Sequence, residues 1–234
     1  MHALISESNR ALIALAAPRE LAAALTAFDP RAHETTPHEP ITVHPAIDLV
    51  RTGVGKSCAA ATVARCCALH PYTTVISAGI AGALPVELAP RIGVSIAATR
   101  SAFADEGVGA PTGFVPLSDM GFAPFDTGDS IHHDPDLLEL LASITDTTGP
   151  IATVSWCSGD DGCAKGVVQR TNAIAEAMEG ASCALAAKRA HPDIRTGELR
   201  VISNTTGNRD TQRWDLDGAL SNLTDVLGRI IASI

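Results

Sequence analysis

The chain reads as a single α/β domain with helices flanking a mixed, mostly parallel central sheet. Three observations predict it. Short apolar runs alternate with helical segments along the whole chain, without a linker or an internal repeat. Hydrophobic residues make up 46% but aromatics only 3%, so Ala, Val, Ile and Leu must fill the core. Tight aliphatic packing of that kind suits helices laid on a sheet. The 234 residues are enough for one large core, and the domain is taken as 1–234.

Residues 12–17 form a continuous apolar strand. Pro18 then opens a helix that runs to about Phe28. Residues 29–40, rich in Pro, His, Glu and Thr, read as a loop, and 41–43 and 46–50 as two short strands. Thr52 to Lys56 is a Gly turn leading into a small-residue helix over 57–69, closed by Pro71. The β-branched run 73–77 is a strand ending in a second Gly-rich turn. A strand over 92–99 precedes an irregular stretch, 100–130, which carries Phe103, Phe114, Phe122 and Phe125. Structureless stretches of that length are usually functional. Then come a helix over 135–143, a strand over 151–156, a polar turn over 158–162 and a helix over 165–173. A short strand over 175–178 is followed by a helix over 180–190. A strand over 199–203 and a last helix from about Asp215 to Ile231 complete the order.

A net charge of −9 argues against broad nucleic-acid binding, which needs a basic footprint. The apolar run at 11–17 is too short to span a membrane and has no cleavage pattern behind it. The six Cys show no paired CxxC spacing and fall mostly in Ala-rich helices, which suggests a reduced, cytoplasmic protein without structural zinc.

Four short segments can carry chemistry. In Ala177-Met178-Glu179-Gly180-Ala181-Ser182 a carboxylate stands between a strand end and a helix. Such a group is either a solvated helix-start Glu or an acceptor for vicinal ribose hydroxyls with Met178 under the sugar. Thr52-Gly53-Val54-Gly55-Lys56 matches neither a Walker loop nor GxGxxG. In Gly79-Ile80-Ala81-Gly82, small side chains allow backbone groups to approach a planar ligand closely. Ile202-Ser203-Asn204 ends a strand. His132-His133-Asp134 is a poor chelator, since adjacent residues diverge, and reads as a solvated loop without metal. Neither Ser57 nor Ser158 lies in G-x-S-x-G. Cys157 reads as a buried thiol unless a His stands beside it in space.

Together, Glu20, Thr52–Lys56, Ser77–Gly82, Met178-Glu179 and Ile202–Asn204 stand in an order that resembles the nucleoside phosphorylase and nucleosidase superfamily. The stretch 175–180, the loop 113–117, and the segment 203–210 with Trp214 are similar to its futalosine hydrolase family. That resemblance implies cleavage of the N-glycosidic bond of futalosine to hypoxanthine and dehypoxanthine futalosine in menaquinone biosynthesis, with no cofactor. It makes Glu20 the group that activates water and Glu179 the holder of the 2′- and 3′-hydroxyls. Met178, Ile80, Ala81 and Gly82 are expected against the substrate. Asn204 stands where relatives releasing adenine carry Asp, and its amide donor suits the O6 of a 6-oxopurine. Phe103 is expected to wall the 5′ group, Arg100 to pair its carboxylate, and Asp210 to orient Asn204 or bond the base. Ser77 and Ile80 match positions that hold phosphate in the phosphorylases; without an Arg there, water is the expected nucleophile. The implied partner is a small nucleoside, and the implied assembly a homodimer or larger. Another purine nucleosidase or phosphorylase, acting on inosine or methylthioadenosine, and a non-catalytic nucleoside-binding module are the alternatives.

Overall fold

In the computed structural model, which describes residues 4–111 and 113–232, the first strand β1 (Ala11–Leu15) is wholly buried. It feeds helix α1 (Pro18–Phe28), which Pro18 opens with a preset φ. Strands β2 (Ile41–His44) and β3 (Ile47–Arg51) precede α2 (Lys56–Leu69), β4 (Thr74–Ala83) and β5 (Ser95–Phe103). A small hairpin of β6 (Gly107–Ala110) and β7 (Gly113–Pro116), then β8 (Ser130–His132) and α3 (Pro135–Ile144), follow. The rest of the chain is β9 (Thr147–Thr153), α4 (Asp161–Thr171), β10 (Ala175–Ala177), α5 (Gly180–Ala190), β11 (Arg195–Thr205) and α6 (Leu216–Ile231).

Among the described residues, nine strands form one sheet in the order β10-β9-β5-β11-β4-β1-β3-β2, with β8 added to β5. Its central pairs β1–β3, β1–β4 and β4–β11 are parallel. The sheet curls so far that β10, parallel to β9 on one side, meets β4 antiparallel on the other, with Glu176 opposite Gly82. That closure brings the ends of β4, β10 and β11 together, the usual place for a ligand in an α/β fold.

Helices α1, α3 and α6 cover one face, burying Leu21, Leu137, Leu223 and Ile230 against Ile13, Ile76 and Val201. Helices α2 and α5 cover the other, where Val63, Cys66, Cys183 and Ala187 meet Leu12 and Val50. Small residues on α2 and α5 let two helices share that face at short range. Burying a Leu or Ile side chain contributes roughly 1.5–3 kcal/mol, so these two layers carry most of the fold.

Two expectations are corrected. The Gly-rich segment 78–82 is not a turn but the second half of β4, paired to β11 and β10. Its small residues fit because strands and side chains crowd it from several sides. Residues 100–130 are not structureless: they finish β5 and contain the β6–β7 hairpin, a 3-10 turn at Ser118–Met120 and β8. Thr112, within that stretch, lies outside the described residues. Glycines and alanines there hid the strand periodicity.

Candidate active site

Glu20, Glu179 and Asn204, from α1, the start of α5 and the end of β11, line one cleft of about 200 Å³. Ile80, Ala81, Gly82 and Met178 line it too. A roomier cavity of about 510 Å³ beside residues 83–92 has no acidic side chain among its described lining residues.

Glu20 is the third residue of α1, 4% exposed, and its Oε2 accepts from the Ala16 and Ala17 amides at 3.1 and 2.8 Å. This is the carboxylate half of a capping box. Its Oε1 accepts from the Ile80 amide at 2.9 Å. A carboxylate has about four acceptor positions, so three amides leave one for a further donor. Burial raises its pKa above the ordinary value; the Arg200 charge and the Ile80 and Ala17 amides oppose that, and Glu179 adds to it.

Glu179 stands at the cap position of α5, and its Oε1 accepts from the Gly55 amide at 3.0 Å. Gly55 is itself the cap of α2, at φ 94°, a conformation that favours glycine. The turn at 52–56 therefore binds a carboxylate with its backbone. Oε2 of Glu179 lies 3.4 Å from Nη1 of Arg200.

Asn204 owes its place to an irregularity. Between Ile202 and Asn204, β11 gains one residue against β4, and such bulges re-aim side chains. Its Oδ1 accepts from Ser203 Oγ at 2.9 Å, and its Nδ2 donates to the Thr205 carbonyl at 3.0 Å. Trp214 pairs with Asn204 through its backbone; Trp214 and Val54 line the cleft yet stay 55% and 54% exposed.

Other expected residues lie elsewhere. Phe103 is absent from the cleft lining; it stacks on Phe125 at 5.9 Å between ring centroids, beneath the Lys56 ammonium. Lys56 in turn pairs with Asp105. Arg100 is turned to the Thr171 carbonyl and the Ser130 hydroxyl. Asp210 is an exposed turn residue whose amide donates to Asn208 Oδ1, outside the cleft lining. His133 is not solvated: it is buried, with Nε2 2.8 Å from Ser101 Oγ, and burial pushes its pKa down to about 4. Asp134 caps α3 through the Leu137 amide. Cys157 is exposed and lines the cleft rather than the core, and crowding around its Sγ raises its pKa, which disfavours the thiolate. Among the described residues no three His, Cys, Asp or Glu side chains are gathered to hold a metal.

The sequence model of the phosphorylase superfamily matches residues 11–232. The chain is 38% identical to the futalosine hydrolase of Acidothermus cellulolyticus over 75% of its own length and 71% of that protein's. To the futalosine hydrolase of Streptomyces coelicolor it is 37% identical over 78% and 77%. The chain belongs to the phosphorylase superfamily, in its futalosine hydrolase family. Its fold is also that of the Helicobacter pylori 5′-methylthioadenosine/S-adenosylhomocysteine nucleosidase crystallised with butyl-thio-DADMe-Immucillin-A. The TM-score is 0.78 at 20% identity, over 97% of this chain and 99% of that one.

At the cleft and just behind it stand Arg200, Glu198 and Glu176, buried charged residues that reading the sequence missed. Arg200 is 1% exposed; its Nη2 donates to Ser77 Oγ at 2.8 Å and its Nε to Glu198 Oε1 at 2.9 Å. Burial disfavours its charge, but Glu198, Glu179 and Glu20 more than offset this and raise its pKa. The expectation of no Arg near Ser77 is thus corrected. Glu176 lines the cleft, with its carboxylate held by the Ser158 amide and hydroxyl at 2.7 and 2.6 Å; burial raises its pKa. A signal existed: Glu198 and Arg200 stand two apart on either side of Leu199, just before Val201 and Ile202, hence on one face of a strand.

Proposed function

We propose that this chain is an N-ribohydrolase that cleaves futalosine to hypoxanthine and dehypoxanthine futalosine, serving menaquinone biosynthesis. One observation carries the reading: two carboxylates and an amide, distant in sequence, share one small cleft. The names of the relatives from Acidothermus cellulolyticus and Streptomyces coelicolor support the substrate.

The roles follow from the free acceptor positions. Glu179 has one oxygen partly used by the Gly55 amide and the other facing Arg200, which leaves room for two ribose hydroxyls. Glu20 has one position left, which suits a water. As the C1′–N9 bond breaks, its electron pair goes to the purine and positive charge grows on the ribose. The two carboxylates stabilise that charge because they are fixed before the reaction begins. The water oxygen bonds to C1′, and Glu20 takes its proton. Asn204 meets the purine edge and has no proton to transfer, so the base leaves as the hypoxanthine anion and takes its proton from solvent.

Water is preferred to phosphate on charge. Arg200 is a buried cation of the site, and its Nε, Nη2 and Nη1 already face Glu198, Ser77 and Glu179. One guanidinium against three carboxyl groups offers an incoming dianion no net attraction. The more-than-half-exposed Val54 and Trp214 suit an aromatic 5′ group, and a second copy of the chain is proposed to complete that side as a homodimer acting in the cytoplasm. Among the described residues, no helix is long and apolar enough to cross a membrane.

Incubation with futalosine, inosine and methylthioadenosine, each with and without phosphate, tests the reading. Hypoxanthine release from futalosine without phosphate is expected. Release from inosine only in the presence of phosphate overturns it.

A further inference from the structure

We propose that Glu198, which does not line the cleft, is a positioning residue that sets the orientation of Arg200 and through it the aim of Glu179 at the sugar. The role rests on the hydrolase reading above. Glu198 is fully buried in β11, two residues before Arg200 and on the same face. Its Oε1 accepts from Nε of Arg200 at 2.9 Å. Its Oε2 accepts from the Ser101 hydroxyl, whose oxygen is 2.8 Å from Nε2 of His133. His133 is held in turn by the Thr196 hydroxyl at 3.3 Å. The carboxylate is therefore anchored from behind by uncharged groups on β5, on β11 and beside β8. With Nε fixed, planarity carries Nη2 to Ser77 and Nη1 to the Glu179 side.

The chain makes room for this carboxylate at one residue. Gly180 opens α5 directly after Glu179, and a Cβ there would overlap all three atoms of the Glu198 carboxyl group. An alanine would suit the first turn of a helix better, so packing against Glu198 is the reason for glycine here. The same helix start thus presents Glu179 to the cleft and leaves space for Glu198 behind it. Without Glu198, the buried guanidinium would have Glu179 as its nearest counter-charge and would draw it from the sugar hydroxyls. A reacting group displaced by about 1 Å loses roughly 100-fold in rate.

The test compares Glu198→Ala, Glu198→Gln and Gly180→Ala with the parent chain. Steady-state futalosine hydrolysis is measured together with the Arg200 Nε–H resonance in labelled protein, and thermal unfolding checks the fold. Gly180→Ala keeps every ionisable group and so stands in if Glu198→Ala does not fold. Glu198→Ala and Gly180→Ala are expected to lose about 100-fold in kcat and to shift or broaden the resonance. Glu198→Gln, whose amide oxygen still accepts from Nε, is expected to recover most of the loss. Adding Gly180→Ala to Glu198→Ala should cost little more, since the overlap is gone. Folded variants with parental kcat overturn the positioning role and leave the hydrolase reading intact. If the parent chain itself fails to hydrolyse futalosine, the hydrolase reading falls. The resonance then decides the rest: an unmoved signal in all three variants overturns the hold of Glu198 on Arg200.

Discussion

Oε1 of Glu20 occupies the space where a Cβ of Gly79 would stand. Nη1 of Arg200 crowds the same point from β11. An atom missing from the middle of β4 thus lets an acid from α1 and a base from β11 meet over the sheet.

Gly79→Ala should inactivate the protein with little unfolding. The added methyl displaces Glu20 or Arg200, and overpacking costs about 1–3 kcal/mol. Hypoxanthine release should fall at least about 100-fold. Near-parental kcat at a lowered melting temperature would remove Glu20 from the chemistry.

Glu179→Ala should lose the preference for the 2′-hydroxyl. Each hydrogen bond to a charged acceptor contributes about 1.5–3 kcal/mol. The parent chain should therefore reject a 2′-deoxy substrate by 10-fold or more, while Glu179→Ala should turn over both substrates at similar, low rates. Parallel kcat/KM measurements check this; an unchanged ratio in the variant places the sugar contact elsewhere.

Asn204→Asp should shift the preference toward a 6-aminopurine. The carboxyl accepts from an amino group, whereas the amide donates to O6. The ratio of kcat/KM for methylthioadenosine to that for futalosine should rise, read by adenine and hypoxanthine release.

The pH profile should report Glu20. Its pKa is raised from 4.5, chiefly by burial, so the native state binds this proton more tightly than the unfolded chain. Stability contributed by this group falls as pH rises from 4.5 through the raised value. Only above that value is the carboxylate ionised and able to take a proton from water. The acid limb of kcat/KM should therefore lie above 4.5.

His133 works in the other direction. Its imidazole, pushed from 6.5 to about 4 by burial, stays neutral in the native state while the unfolded chain takes up a proton. Stability should fall as pH drops from 6.5 towards 4, by on the order of 3 kcal/mol. Denaturant midpoints across that range should flatten in His133→Gln.

Much of this protein was legible before folding. The order of strands and helices, Pro18 at the start of α1 and the stops near Phe28, Leu69 and Ala190 are local matters of periodicity and capping, and they are written in neighbouring residues. Glu20, Glu179 and Asn204 were visible because they stand in the order in which the superfamily this chain resembles carries its site segments. The tertiary structure decided the rest. That 78–82 is strand depends on β10 and β11 pairing to it, and small side chains give no period of their own. Phe103 and Asp210 were expected in the cleft because aromatic and acidic residues suit a ligand, but composition sets no direction for a side chain. Arg200, Glu198 and Glu176 were missed because a charge is costly to bury until partners surround it, and those partners come from distant segments of the chain.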